Sequence, residues 1–250
     1  MAGHSKWANI KHRKGRQDAK RSKLWSKISR QIIVATKAGG GDPDSNLTLR
    51  YAIDEAKAAN MPKDTIANAI KKGTGDLAGV NYEEVVYEGY GPGGTAFMVS
   101  CLTDNRNRTA PEMRKLFERS GGQLGATNCV AYMFEKKGTI IVEADKTTED
   151  QLMEIALEAG ADDVELAGEF FEITCDPSAF TPVKDALQAA EIPTISAEIA
   201  MIAGNQIALD IENARKALRL SENLEDHDDV QKVWTNIDIS DEIMGELSQE

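Results

Sequence analysis

The chain predicts an α+β fold, and three observations carry the prediction. Apolar residues recur at helical spacing as far as about residue 70, the pattern switches toward period 2 between Asp76 and Tyr82, and Gly138 to Met201 reads as strand, helix, strand, strand, helix, strand. The last order is that of a ferredoxin-like unit. Together they predict an N-terminal three-helix bundle, an α+β domain and a ferredoxin-like βαββαβ domain.

The elements follow in order. Leu24, Ile28, Ile32 and Ala35 form one apolar stripe, with Trp25 beside it as a core residue, and Gly39-Gly40-Gly41 ends that helix. Its other face carries Lys23, Lys27 and Arg30. Asp44-Ser45-Asn46 supplies cap chemistry for a second helix through Leu49, Ile53, Ala56 and Ala59. Pro62 opens a third, with Ile66, Ala69 and Ile70 inward and Gly73 past its end. Helices this short are marginal alone, so they must pack together. Because the third carries Lys63, Lys71 and Lys72 only at its ends, it does not read as a groove-reading helix.

Residues 84–88 and 95–102 read as strands joined by the glycine-rich run Gly89 to Gly94. In the TDNRNRT stretch from Thr103 to Thr109, Thr109 and Glu112 are spaced as a capping box, with Pro111 in the first turn. Met113, Leu116 and Phe117 then supply a buried stripe that Gly121-Gly122 stops. Arg106 and Arg108 would thus lie on a loop at a helix N-terminus, where they either bind phosphate or pair with Glu83, Glu84 or Glu88 of the hairpin; both readings stay open. A strand is expected over 130–134. The ferredoxin-like pattern places strands at 139–144, 163–166, 170–175 and 194–201, and helices at 149–159 and 178–190. Ile207, Ile211, Ala214 and Leu218 then mark a helix, and 230–237 a strand returning to the first sheet with Trp234 in the core.

Charge is distributed unevenly along the 250 residues. Through residue 40 there are eleven cations and one anion, a net of +10, in a chain whose formal total is −12; from Lys146 onward the net is −19. A run of one sign resists compaction and is best satisfied by a polyanion that neutralises it and releases counterions. Lys6, Trp7, Lys11, His12, Arg13, Lys14, Arg16, Lys20, Arg21, Lys23, Lys27 and Arg30, with Arg106 and Arg108, are therefore the candidate nucleic-acid-binding residues. The bland alternative is a solvated face without a partner. Up to about Lys20 the segment has almost no apolar periodicity and is expected to be irregular.

Other chemistries find little support. Gly89-Tyr90-Gly91-Pro92-Gly93-Gly94 matches GxGxxG, but a β-branched, aromatic run follows where a dinucleotide site needs a helix. His4, His12 and His227 lack ligand-spaced neighbours, and no nucleophile motif occurs, so the reading is non-enzymatic with no cofactor, metal or small-molecule substrate. The acidic cluster Glu225 to Asp229 reads as a solvated turn. Cys101, Cys129 and Cys175 are far apart and read as reduced core thiols. With no apolar run of membrane-spanning length, a cytoplasmic protein is expected.

GHSKWANIKHRKGRQDAKR from Gly3, YEGYGPGG from Tyr87 and TDNRNRT from Thr103 resemble the YebC family, also called YebC/PmpR, and the resemblance runs along essentially the whole chain. It implies three domains, with the ferredoxin-like one inserted into the α+β domain: residues 1–80, residues 81–136 with 203–250, and residues 137–202. It also implies a probable DNA-binding transcriptional regulator in the cytoplasm, although relatives include a mitochondrial translational activator. A sequence-reading factor needs a rigid element in a groove, and none is identified. A basic arm interleaving Lys, Arg, His and Trp suits irregular RNA at least as well. DNA, and ribosomal or transfer RNA, both stand as expected partners, and the oligomeric state is left open.

Overall fold

The computed structural model describes residues 17–248. It has the α+β class expected from the periodicities. Helices α1 (Gln17–Gly39), α2 (Leu47–Ala58) and α3 (Lys63–Thr74) pack around Ile28, Ile32, Ala35, Leu49, Ala56, Ile66 and Ala69. Asn46 joins the first two. Its side chain accepts from the Leu49 N–H at 3.1 Å and donates to the carbonyls of Ala35 and Gly40 at 2.8 and 2.9 Å, so one buried amide caps the start of α2 and the end of α1. Helix α3 closes on α1 at Gly73, where a Cβ would lie 2.5 Å from that of Thr36. The Trp25 indole donates to the Ala59 carbonyl at 3.0 Å, which is the core use expected of it. Leu24, expected in the stripe, is exposed because Trp25 occupies that end of the bundle.

The chain continues through β1 (Glu83–Tyr90), β2 (Ala96–Thr103), α4 (Arg106–Arg119), β3 (Gln123–Leu124), β4 (Phe134–Glu143), α5 (Glu149–Glu158), β5 (Ala161–Ala167) and β6 (Phe170–Cys175). There follow α6 (Phe180–Ala189), β7 (Thr194–Ala203), β8 (Ile207–Ala208), α7 (Ile211–Glu225), β9 (Val230–Thr235), β10 (Ile237–Asp238) and α8 (Asp241–Ser248). One antiparallel sheet has the order β3-β1-β2-β9, so β9 does return to the first hairpin. Phe97, Val99 and Cys101 on one face of this sheet pack against Met113 and Phe117 of α4 and Ala214, Ala217 and Leu224 of α7. The Phe97 and Phe117 rings meet edge to face at 5.9 Å. On the other face Ala96 and Met98 are covered by Val130, Phe134, Ala203 and Trp234.

The second sheet has the order β5-β6-β4-β7, all antiparallel, with Ile140, Val142, Phe171 and Ile173 packed against Leu152 of α5 and Val183 and Leu187 of α6. This is the ferredoxin-like arrangement. The strand expected over 130–134 is instead a loop and a 3₁₀ turn at Ala131–Met133, and β4 begins at Phe134. The reason is local: the amides of Val130 and Ala131 donate to a carboxylate, leaving none for a ladder. β4 and β7 then pair from Phe134 opposite Ala203 to Val142 opposite Thr194, with a bulge between Ile141 and Val142, and the Phe134–Ala203 end packs on Ala96 and Met98 of the first sheet.

Helix α2 joins the bundle to the ferredoxin-like unit. Tyr51 sets its ring edge-on to Phe180 at 5.7 Å and its hydroxyl 2.5 Å from Thr181 Oγ1, while Asp54 pairs with Lys184 at 3.8 Å. Near Glu55 on the same helix, Lys232 of β9 pairs with Glu198 of β7. Burial pulls the Lys232 ammonium down, but the charges of Glu198 and Glu55 outweigh it and hold its pKa above the ordinary value; burial pushes Glu55 up. Tyr51→Phe should lower stability by about 1 kcal/mol through loss of one half-buried hydrogen bond, measured by urea unfolding; an unchanged midpoint would remove Tyr51 as a docking contact.

Candidate nucleic-acid interface

The apolar stripe of α1 orients its cations, as the sequence suggests, but three of them point at protein. Lys23 Nζ donates to the Asp226 carbonyl at 3.0 Å and Lys27 Nζ to that of Glu225 at 2.5 Å. The Arg30 guanidinium donates to the Asp228 carbonyl and to Asp229 Oδ1, the latter at 3.1 Å. These acceptors lie at and just beyond the C-terminal end of α7. There unsatisfied carbonyls and the negative end of the helix dipole attract cations.

Asp229 is the centre of this junction. Its side chain, 3% exposed, accepts from Arg108 Nη2 at 2.7 Å, from Thr109 Oγ1 at 2.8 Å and from Arg30. Burial pushes the carboxyl up, yet the hydrogen bonds of Arg108 and Thr109 and the charges of Arg108 and Arg30 hold it below the usual carboxylate range. The same negative charge, after burial itself, raises the Cys101 thiol to about 12, so that thiol stays protonated and unreactive. The reading of residues 225–229 as a solvated turn holds at Asp226 and Asp228, which are exposed, and is corrected at Asp229, which is buried. β9 begins at Val230 and the Leu102 N–H donates to the Asp229 carbonyl at 2.8 Å, which draws Asp229 into the sheet. His227 is engaged too, with Nε2 2.9 Å from Glu112 and Nδ1 accepting from the Asp229 N–H at 3.1 Å.

Helix α4 also starts earlier than the capping-box spacing suggests. Asn105 is its N-cap, accepting from the Arg108 N–H at 3.2 Å, so Arg106 and Arg108 lie in the first turn of the helix and not on a loop. The hydroxyl of Thr109 serves Asp229 instead. Arg108 pairs with Asp104 at 2.9 Å as well as with Asp229, and Arg106 reaches Glu83 at 3.9 Å with both side chains exposed. Of the hairpin carboxylates proposed as partners, Glu88 is turned elsewhere. It is buried and accepts from the backbone amides of Asn128, Val130 and Ala131 at 2.8, 2.9 and 2.8 Å.

Lys6, Trp7, Lys11, His12, Arg13, Lys14 and Arg16 lie outside the described residues, as does the side chain of Lys20, whose backbone is helical. Arg21 is exposed at the start of α1. The sequence reading passed over Arg114, Lys115 and Arg119, which are exposed on α4 and make no ion pair among the described residues. Lys115 and Arg119 recur at i, i+4, the signal that could have found them. The GxGxxG run forms the end of β1 and a 3₁₀ turn at Pro92–Gly94 and leads into β2, so no helix follows it in sequence as the dinucleotide fingerprint requires; the first turn of α7 packs against Gly93 from elsewhere in the chain. Among the described residues no group of three His, Cys, Asp or Glu side chains is placed to hold a metal ion, and no helix is long and apolar enough to cross a membrane.

Residues 5–76 match the TACO1/YebC protein N-terminal domain, and residues 82–237 match the TACO1/YebC second and third domain. The chain belongs to the TACO1/YebC family. Relatives named probable transcriptional regulatory protein from Maridesulfovibrio salexigens and from Geobacter sulfurreducens are each 54% identical over 247 residues, covering 99% of this chain and 99% and 100% of the relatives. The crystal structure of a conserved hypothetical protein from Aquifex aeolicus superposes with a TM-score of 0.82 at 47% identity, over 91% of this chain and 94% of that one. The described surface carries exposed guanidinium and ammonium groups on α4, namely Arg106, Arg108, Arg114, Lys115 and Arg119, of which Arg108 is held by the buried Asp229.

Proposed function

We propose that this chain is a non-enzymatic, nucleic-acid-binding regulator of gene expression, of the DNA-binding transcriptional kind, acting in the cytoplasm through its basic N-terminal region. The observation that carries the reading is the net of +10 over the first 40 residues of a chain that totals −12. Three of those cations, Lys23, Lys27 and Arg30, are bound to the end of α7. Lys6, Lys11, Arg13, Lys14, Arg16, Lys20 and Arg21 are then the primary phosphate contacts, with Trp7 and His12 among them and Arg106 the more accessible of the two α4 arginines. The names of the relatives support the transcriptional branch. The distribution of the apolar cores, one in the bundle, one in the ferredoxin-like unit and one on each face of the first sheet, also supports treating residues 1–80, residues 81–136 with 203–250, and residues 137–202 as three domains.

A second reading, a translation factor on ribosomal or transfer RNA, is favoured by one feature: the arm interleaves Lys, Arg, His and Trp without a rigid groove-reading helix. Both share a test. Affinity for a labelled oligonucleotide should fall by about 0.7 to 0.9 log units per log unit of salt for each phosphate contact. A chain lacking residues 1–16 should lose most of that slope while keeping its thermal unfolding midpoint. Unchanged binding by the truncation would remove the arm from the mechanism. Cross-linking in cells, followed by sequencing of bound DNA and RNA, separates the branches, because enrichment of promoter fragments without ribosomal RNA excludes the second.

A further inference from the structure

The residues at the end of α7 that hold the cations of α1 all flank one imidazole. Lys27 donates to the Glu225 carbonyl, Lys23 to that of Asp226, and Arg30 to the Asp228 carbonyl and the Asp229 carboxylate. His227 stands in the middle of this run, with 17% of its side chain exposed. Its carbonyl accepts from the Val230 N–H at 3.2 Å and its Nδ1 from the Asp229 N–H at 3.1 Å, and these two bonds close the turn between α7 and β9.

A backbone N–H only donates, so Nδ1 carries no proton in this arrangement. The ring is therefore the neutral tautomer with its hydrogen on Nε2, which donates to Glu112 Oε2 at 2.9 Å. A second proton has only Nδ1 to go to. It would set one N–H against another, breaking the bond to Asp229 and leaving two donors face to face. The surroundings nevertheless attract the charge. Glu112 of α4, the carboxylates of Glu225, Asp226, Asp228 and Asp229 and the carbonyl end of α7 favour it, while Arg108 of α4 and Lys23, Lys27 and Arg30 of α1 oppose it. Tyr87 and Cys101, which feel the Asp229 charge, are both pushed up by burial, the thiol to about 12, and stay neutral throughout. A doubly protonated ring needs a new acceptor, and the carbonyls at the end of α7 are those that the α1 cations hold.

We infer that His227 is a pH-sensitive latch: the neutral ring closes the turn that anchors α1, and the protonated ring opens it and competes with Lys23, Lys27 and Arg30 for that anchorage. Asp229 keeps Arg108 and Thr109 in both states, so α4 stays in place on the sheet. The sign follows from the bond. Its contribution is complete while the ring is neutral and is lost as pH falls through the range, about pH 8 to 5, in which imidazoles titrate. Opening turns Lys23 and Arg30 from protein toward solvent, next in sequence to the basic N-terminal region. The test is nitrogen-15 NMR and amide exchange of the full chain between pH 8 and pH 5. At pH 8 the His227 ring should be protonated on Nε2 alone. On acidification it should take a second proton, the protection factor of the Asp229 amide should fall roughly tenfold over the same range, and the side-chain N–H groups of Arg30 should exchange faster in step. His227→Asn is the control, because its Oδ1 accepts the same N–H two residues on and does not titrate; it should keep both protections down to pH 5. His227→Ala, with no acceptor, should show at pH 8 the exchange that the parent shows at pH 5. The inference is overturned if His227→Asn has the pH dependence of the parent, if the ring is protonated on Nδ1 at pH 8 or stays singly protonated to pH 5, or if it takes its second proton while the Asp229 amide and Arg30 keep their protection. None of these results touches the nucleic-acid reading, which stands or falls with the arm truncation.

Discussion

Asp229→Ala should destabilise the protein by about 3 kcal/mol in urea unfolding. Removing one side of a buried charged cluster leaves the other charges without a counter-ion, and the partial exposure of Arg108 keeps the cost near the low end for such losses. The substitution strips an acceptor from Arg30, Arg108 and Thr109 at once, so it should also loosen α1 from the end of α7. Asp104→Ala provides the contrast. That residue pairs with the same Arg108 at 2.9 Å, but both side chains are partly exposed, and the expected loss is under about 0.5 kcal/mol. The pH dependence has a definite sign. The pKa of Asp229 is lower in the folded state, so its stabilisation is complete above its unfolded value of about 3.9 and is lost as pH falls through the folded value. The gap between parent and variant should therefore be constant from about pH 5 to 8 and close in stronger acid; a gap that widened in acid would rule out an ionised Asp229 as its source.

The second large effect belongs to Glu88. Glu88→Ala orphans the amides of Asn128, Val130 and Ala131, and because Val130 is buried, water cannot replace every lost bond. A loss of about 3 kcal/mol is expected. Glu88→Gln should recover only part of it, since an amide has a single acceptor oxygen and its NH₂ would face a backbone donor. Hydrogen exchange localises the result: the amides of residues 128, 130 and 131 should all lose protection in Glu88→Ala and only those facing the new NH₂ in Glu88→Gln, and unaltered exchange there would show that the carboxylate does not hold the loop.

Much of the architecture was legible because it rests on local periodicity. The stripes through Ile28, Ile32, Leu49, Ile66, Met113 and Phe117 are buried as their spacing requires, and the βαββαβ order emerged from alternation and turn residues alone. Caps were less secure. Thr109 has the spacing of a capping box, but the shorter reach of Asn105 starts α4 a full turn earlier, since two residues with cap chemistry competed and only the backbone path through Asp104 decides between them. Val130 to Phe134 has strand composition, yet its first amides are claimed by a carboxylate forty residues away.

The site was less legible than the fold. Net charge and its placement near the N-terminus are properties of the chain, and no folding is needed to see the excess of cations over the first 40 residues. Which cations remain available is a different matter. Lys23, Lys27, Arg30 and Arg108 look equivalent to their neighbours in sequence, and they differ only because the end of α7, about 200 residues beyond α1, is packed against them. An ion pair depends on distance and desolvation, and both are set by long-range packing. Asp229 and Glu88 were lost among other acids for the same reason: burial turns an ordinary carboxylate into an anchor, and burial is a property of the assembled sheet.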